Sequence, residues 1–157
     1  MRFAVTDILV IGYGNELRGD DGLGPLVAKS VAAANIPDVR VLSARQLLPE
    51  FAADLARARL VVFVDASEAW SEGGIEIRPL AIEEVTDWCT HHADPRTLLA
   101  LTQVIYGQTP EAWWLTASVR NFDFSERLSD IAEENMHQAL VSLKRLIQGK
   151  TQRGLTR

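Results

Sequence analysis

The chain has 157 residues, 47% hydrophobic and 24% charged, with a formal net charge of −5. That length suits one domain with a buried sheet, and the acidic balance argues against nucleic-acid binding, because phosphate neutralisation needs clustered Lys and Arg. No apolar run reaches the ~20 residues that span a bilayer, and the single cysteine, Cys89, excludes an internal disulfide, so a cytoplasmic protein without membrane insertion is expected.

In chain order, Ile8-Leu9-Val10-Ile11 is a continuous β-favouring run closed by Gly12, the pattern of a strand covered on both faces. Pro25 to Ala34 follows as a helix, with Leu26, Val27, Val31 and Ala34 near one face. Val39 to Leu42 is a short strand, Pro49 to Arg57 a helix, and Leu60-Val61-Val62-Phe63-Val64 the strongest strand signal, ending in Asp65. This alternation is the mark of βαβ crossovers. Ile75 to Arg78 alternates and reads as a strand with one wet face, suited to an edge. Thr97 to Tyr106 is a helix stopped by Gly107, Trp113 to Val119 a strand, and Leu128 to Ile147 a long amphipathic helix capped by Ser125 or Ser129. The expected fold is a three-layer α/β/α sandwich with a mostly parallel twisted sheet and room for one antiparallel edge strand. One domain covers residues 1–148, and 149–157 is a polar, flexible tail.

Fold class does not give activity, but it directs attention to the carboxyl ends of the strands. The turn Gly12-Tyr13-Gly14-Asn15-Glu16-Leu17-Arg18-Gly19-Asp20-Asp21-Gly22-Leu23-Gly24 is neither a dinucleotide fingerprint nor a P-loop. Leu17 stands at the third glycine position of the former, and Asp20 and Asp21 replace the lysine and hydroxyl of the latter. Two carboxylates repel a phosphate but suit a cation. Their plainer role is to stabilise the helix N-terminus. Asp65, at the end of a central strand, is poorly explained by packing; its plainer role is to cap a turn with Ser67. His91 and His92 are adjacent in a chain with three histidines. Cys89 lies too close in sequence to His91 for a thiol–imidazole pair to align readily. No Gly-x-Ser-x-Gly elbow and no His-Glu-x-x-His helix occurs. Convergence of Asp21, Asp65 and one histidine would make an oxygen, oxygen, nitrogen set suited to nickel or zinc rather than magnesium.

The segment Ile8 to Gly24 closely resembles the opening motif of the nickel–iron hydrogenase maturation proteases. Val62-Phe63-Val64-Asp65-Ala66, Thr90-His91-His92 with Leu98-Leu99-Ala100-Leu101, and Asn121-Phe122-Asp123-Phe124 with Leu128-Ser129 match in the same order. After the second strand, where many members carry a Gly-Thr-rich turn, this chain has Ser43-Ala44-Arg45-Gln46-Leu47. The resemblance implies an endopeptidase that removes a C-terminal peptide from the large-subunit precursor of a nickel–iron hydrogenase once nickel is inserted. It places the nickel-contacting and catalytic residues on Asp21, Asp65 and His91, with His92 competing for the last. Nickel would be carried by the substrate and held weakly by the free protein. The metal, or water it polarises, would assist attack on the scissile carbonyl, with Asp20 a candidate base. There are two alternatives: a non-catalytic nickel-binding assembly factor that uses the same residues, and a magnesium-dependent phosphohydrolase built on Asp20, Asp21 and Asp65 that leaves the histidines idle.

Overall fold

Runs of consecutive apolar residues, which can be buried only where both faces of a sheet are covered, lie at the centre of this molecule. The computed structural model describes residues 6–69, 74–82 and 94–155. In chain order the elements are β1 (Thr6–Tyr13), a short 3-10 turn (Gly19–Gly22), α1 (Leu23–Ala33), β2 (Val39–Ala44), α2 (Phe51–Ala56), β3 (Ala58–Ser67), β4 (Ile75–Leu80), α3 (Pro95–Tyr106), β5 (Glu111–Ser118) and α4 (Asp130–Leu155). The strands form one sheet of order β2-β1-β3-β5-β4. All neighbouring pairs are parallel except β4 with β5. The expected α/β sandwich and its single antiparallel edge strand are both present.

Burial follows the sequence pattern. Leu60 to Val64 of β3 are fully buried, and Ile8 to Ile11 of β1 nearly so. Even-numbered residues of β1 and β3 pack with Leu23, Val27 and Val31 of α1 and with Ala132, Ala139, Leu143 and Ile147 of α4. Odd-numbered ones pack with Ala52 and Leu55 of α2 and Leu98 and Leu99 of α3. The two faces thus carry separate apolar layers, each worth ~1.5–3 kcal/mol per fully buried large side chain. Asn135, a polar residue on the inner stripe of α4, is buried at no loss because its Nδ2 donates to the Ser118 carbonyl at 2.7 Å.

Element ends differ from the sequence expectation for local reasons. β3 runs past Asp65 to Ser67 because Ala66 and Ser67 pair with Ala117 and Ser118 of β5, so Asp65 lies within the strand. α3 begins at Pro95, two residues before Thr97. Asp94 caps it, accepting from the Arg96 N–H at 2.8 Å, and Pro95 occupies the first turn where its missing N–H costs nothing. Gly107, at φ +71°, ends α3 as expected. Ser129, not Ser125, caps α4: its Oγ accepts from the Ala132 N–H at 3.2 Å. α4 continues beyond Ile147 to Leu155. Among the described residues no helix is long and apolar enough to cross a membrane.

Candidate functional site

The chain leaves β1 toward β2 on one side, while β3 lies on the other side of β1. A crevice opens at such a point beyond the carboxyl ends of the strands, and ligands of open α/β sheets collect there. Asp21 follows β1 through the glycine turn and Asp65 sits near the end of β3, so both predicted acids reach this crevice. They are close enough for the charge of Asp21 to act on the ionisation of Asp65.

The glycine turn is built by contact, not flexibility. A Cβ on Gly14, at φ +144°, would lie 2.0 Å from the Asp21 carbonyl oxygen, and one on Gly12 would lie 2.1 Å from the Gly24 carbonyl oxygen. β1 and the start of α1 therefore approach as only glycine permits. Neither acid caps α1, whose N-cap Gly22 makes no side-chain hydrogen bond. Asp21 Oδ2 instead accepts from the Asn15 N–H at 2.7 Å, fixing the carboxylate across the turn. Its Oδ1 has no hydrogen-bond donor among the described residues.

Asp20 does something else entirely. It is fully buried. Oδ1 accepts from the Ser129 N–H at 2.7 Å, and Oδ2 from the Ser129 hydroxyl at 2.7 Å, the Asn121 N–H at 3.1 Å and the Arg120 N–H at 3.4 Å. Backbone bonds reinforce the junction: Gly19 N–H to Ser125 O at 2.8 Å, Asp20 N–H to Asn121 O at 2.8 Å and Ser125 N–H to Leu17 O at 3.0 Å. The carboxylate stands at the N-terminus of α4, where helix polarity favours negative charge. With its oxygens so engaged, Asp20 is unsuited to act as a general base. It latches the 120–129 segment onto the loop that carries Asp21.

Asp65 is half-buried at the crevice. Burial pushes its carboxyl up to about 7, and the charge of Asp21 adds to the push, while the Tyr13 hydroxyl and the Ala66 N–H pull it down. It does not make the turn with Ser67, whose own hydroxyl accepts from the Ala69 N–H at 3.2 Å. Tyr13, the last residue of β1, is 4% exposed. Burial first and the Asp65 charge second raise its pKa, so the hydroxyl stays protonated. The hydroxyl faces Asp65 without meeting hydrogen-bond geometry: Tyr13 Oη and Trp114 Nε1 are both buried and unpartnered among the described residues. An unmet buried donor costs ~1–3 kcal/mol, so two of them at one place need a reason.

The raised carboxyl has a pH consequence. Between 3.8 and about 7 the folded protein retains a proton on Asp65 that the unfolded chain has released. Stability therefore falls as pH rises through that window and is fully present below it. In chelator-treated buffer, Asp65→Asn is expected to remove this component. At pH 8 the variant should be more stable than the parent by about 1–3 kcal/mol in urea unfolding, and at pH 4 about equal. Equal stabilities at both pH values would show that Asp65 ionises normally in the folded protein.

Beside the turn that carries Asn15 an open cavity of about 450 Å³ lies between Gly14–Leu17, Pro25 and Lys29 of α1, and Ser43–Arg45 at the end of β2. Lys29 is paired with Glu16 across it. His91, His92 and Cys89 lie outside the described residues. Among the described residues no three His, Cys, Asp or Glu side chains are grouped to hold a metal ion. The two acids supply hard oxygen donors, and a third ligand from outside them would be needed for a borderline metal. Tyr13, Trp114 and the Asp20 latch carry no distinguishing mark in the sequence. Alternation along Leu9, Ile11 and Tyr13 carries Tyr13 to the end of the same face as Asp65; nothing local marks the partners of Asp20.

The mostly parallel sheet with its antiparallel edge is a fold found in solved hydrogenase maturation proteases. The chain shares its fold with the hydrogenase maturating endopeptidase HybD from E. coli (TM-score 0.73, 20% identity, covering 91% of this chain and 93% of that one). It shares it also with the [NiFe] hydrogenase maturation protease HycI from Thermococcus kodakarensis KOD1 (0.71, 23%, 91% and 93%). A third is the hydrogenase 2 maturation peptidase from Thaumarchaeota archaeon SCGC_AB-539-E09 (0.65, 24%, 90% and 97%). At these identities the likeness establishes the fold. No family model matches the sequence, and no curated protein matches it.

Proposed function

We propose that this chain is an endopeptidase that removes a C-terminal peptide from the nickel-loaded large-subunit precursor of a [NiFe] hydrogenase, acting in the cytoplasm. Support for the reading comes from the charge of Asp21 acting on Asp65 near the strand ends, in a fold shared along nine-tenths of the chain with proteins named as hydrogenase maturation peptidases. Asp21 offers an oxygen without a donor among the described residues, and Asp65 a carboxylate near the strand end. In this reading His91, or His92 one position on, completes the set; both are tethered within three residues of Asp94, the cap of α3. The substrate's own nickel is then the recognition element, and as a Lewis acid it supplies polarisation of the scissile carbonyl or of a water. The side chains of this protein bind and orient: they hold the metal-bearing precursor so that its tail crosses the crevice toward the adjoining cavity.

Two other readings rank lower. A phosphohydrolase built on Asp20, Asp21 and Asp65 loses its first acid, which is committed to four hydrogen bonds. A non-catalytic nickel-binding assembly factor would use the same two acids and leave the precursor's length unchanged. The deciding experiment is intact-mass analysis of nickel-loaded and nickel-free cognate precursor incubated with the protein. Loss of a C-terminal peptide from the loaded form alone is expected. A loaded precursor bound but uncut would favour the assembly factor, and cutting of both forms equally would remove nickel from the reading.

A further inference from the structure

The sheet face under α2 and α3 ends at the crevice in three rows: Leu9, Ile11 and Tyr13 on β1; Val61, Phe63 and Asp65 on β3; Ala112 and Trp114 on β5. Phe63 is in register with both Ile11 and Trp114, and Gly12 with Val64. One further step sets Tyr13 beside Asp65 on the same face, with Trp114 diagonally behind them. The indole is fixed from outside by the Arg78 guanidinium of β4, 4.8 Å over its ring.

Elsewhere in the described core, buried polar side chains are satisfied. The Thr102 hydroxyl donates to Leu98 O at 2.7 Å, that of Ser118 to Ala69 O at 3.1 Å, and Asn135 and Asp20 are bonded as described. The two unpartnered buried groups, Tyr13 Oη and Trp114 Nε1, instead fall together against the one acid that the crevice shares with Asp21.

We propose that Trp114 and Tyr13 are positioning residues for Asp65: the indole N–H donates to the Tyr13 oxygen, and the Tyr13 O–H donates to the Asp65 carboxylate. Chemistry fixes the direction of this relay. An indole nitrogen only donates, a hydroxyl does both, and an ionised carboxylate only accepts. The groups therefore form an ordered series in which each supplies what the next lacks, and closing it relieves two buried unmet donors at once. The relay engages one Asp65 oxygen from the core side and presents the other to the crevice. Its bearing on catalysis rests on the function proposed above; the relay itself does not.

The test uses the full chain, free of precursor, as wild type, Tyr13→Phe and Trp114→Phe. Carbonyl-labelled aspartate gives the Asp65 side-chain ¹³C resonance, assigned with Asp65→Asn, and ¹⁵N labelling gives the Trp114 indole N–H, assigned with Trp114→Phe. Tyr13→Phe is expected to shift both resonances with its melting temperature close to the parent's, and Trp114→Phe to shift Asp65 less. On a nickel-loaded precursor, Tyr13→Phe should lower kcat about ten-fold with KM within about two-fold, the pattern of an interaction felt in the transition state. An Asp65 resonance that ignores Tyr13→Phe in the folded variant overturns the relay, and a kcat equal to the parent's overturns its bearing on catalysis. Should the parent leave the precursor uncut, the proposed function falls while the two resonances still decide the relay. Should Trp114→Phe misfold, Tyr13→Phe decides the relay alone, because it removes one oxygen and no packing.

Discussion

Asp21→Ala and Asp65→Ala are each expected to abolish precursor processing, by at least about 100-fold in kcat/KM, while both variants stay folded. Asp21 is partly exposed at the crevice and among the described residues its side chain bonds only Asn15 N–H, so its loss removes one hydrogen bond of about 1 kcal/mol from that part of the fold. Asp65 is held in the folded state against its own desolvation, so removing its charge relieves a cost at neutral pH. Neither side chain is explained by stability, which is why substitution should separate processing from folding. Intact-mass assays on a nickel-loaded precursor, run beside thermal melts, would measure both. Retention of processing by either variant would remove that acid from the site. The same assay on His91→Ala and His92→Ala assigns the third ligand, since only the histidine that contacts the substrate metal should match the aspartates in severity.

Asp20→Ala should behave in the opposite way, losing stability first. The substitution strands the N–H groups of Ser129 and Asn121 and the Ser129 hydroxyl inside the protein and frees the start of α4 from the Asp21 loop. Leaving several donors without an acceptor costs about 1–3 kcal/mol for each group that water does not reach, and a fall in melting temperature on the order of 10 °C is expected for a domain this size. Asp20→Asn, which keeps one acceptor and the shape, should lose less. A melting temperature unchanged in the alanine variant would mean that the latch does not hold the two segments together.

The sheet was legible because its signal is local and strong. Leu60 to Val64 could be nothing but a central strand, and the alternation of Ile75 to Arg78 marked the wet edge where β4 lies. Asp65 was visible for the same reason, as a charge at the end of an apolar run. The acid pair after the glycine turn was visible as a feature but not as two separate roles. Asp20 and Asp21 are neighbours of one chemical type, and what divides them is a partner 109 residues away that leaves no mark beside either. Tyr13 and Trp114 are silent in the sequence because an aromatic at a core position reads as packing; their polar ends matter only once register sets them beside Asp65. The start of α3 lies at Asp94-Pro95, a capping pair overshadowed by the helix propensity of the residues that follow.

The tie between Asp20 and Ser129 also bears on how the molecule assembles. Joining two points 109 residues apart in a free chain costs, in loop-closure entropy alone, about 4 kcal/mol beyond a constant. That offsets much of what the bonds themselves return, so the tie is poorly placed to nucleate folding. The tie is expected to form once the pairing of β1, β3 and β5 has drawn its two ends together, so the junction between the Asp21 loop and residues 120–129 should be ordered late.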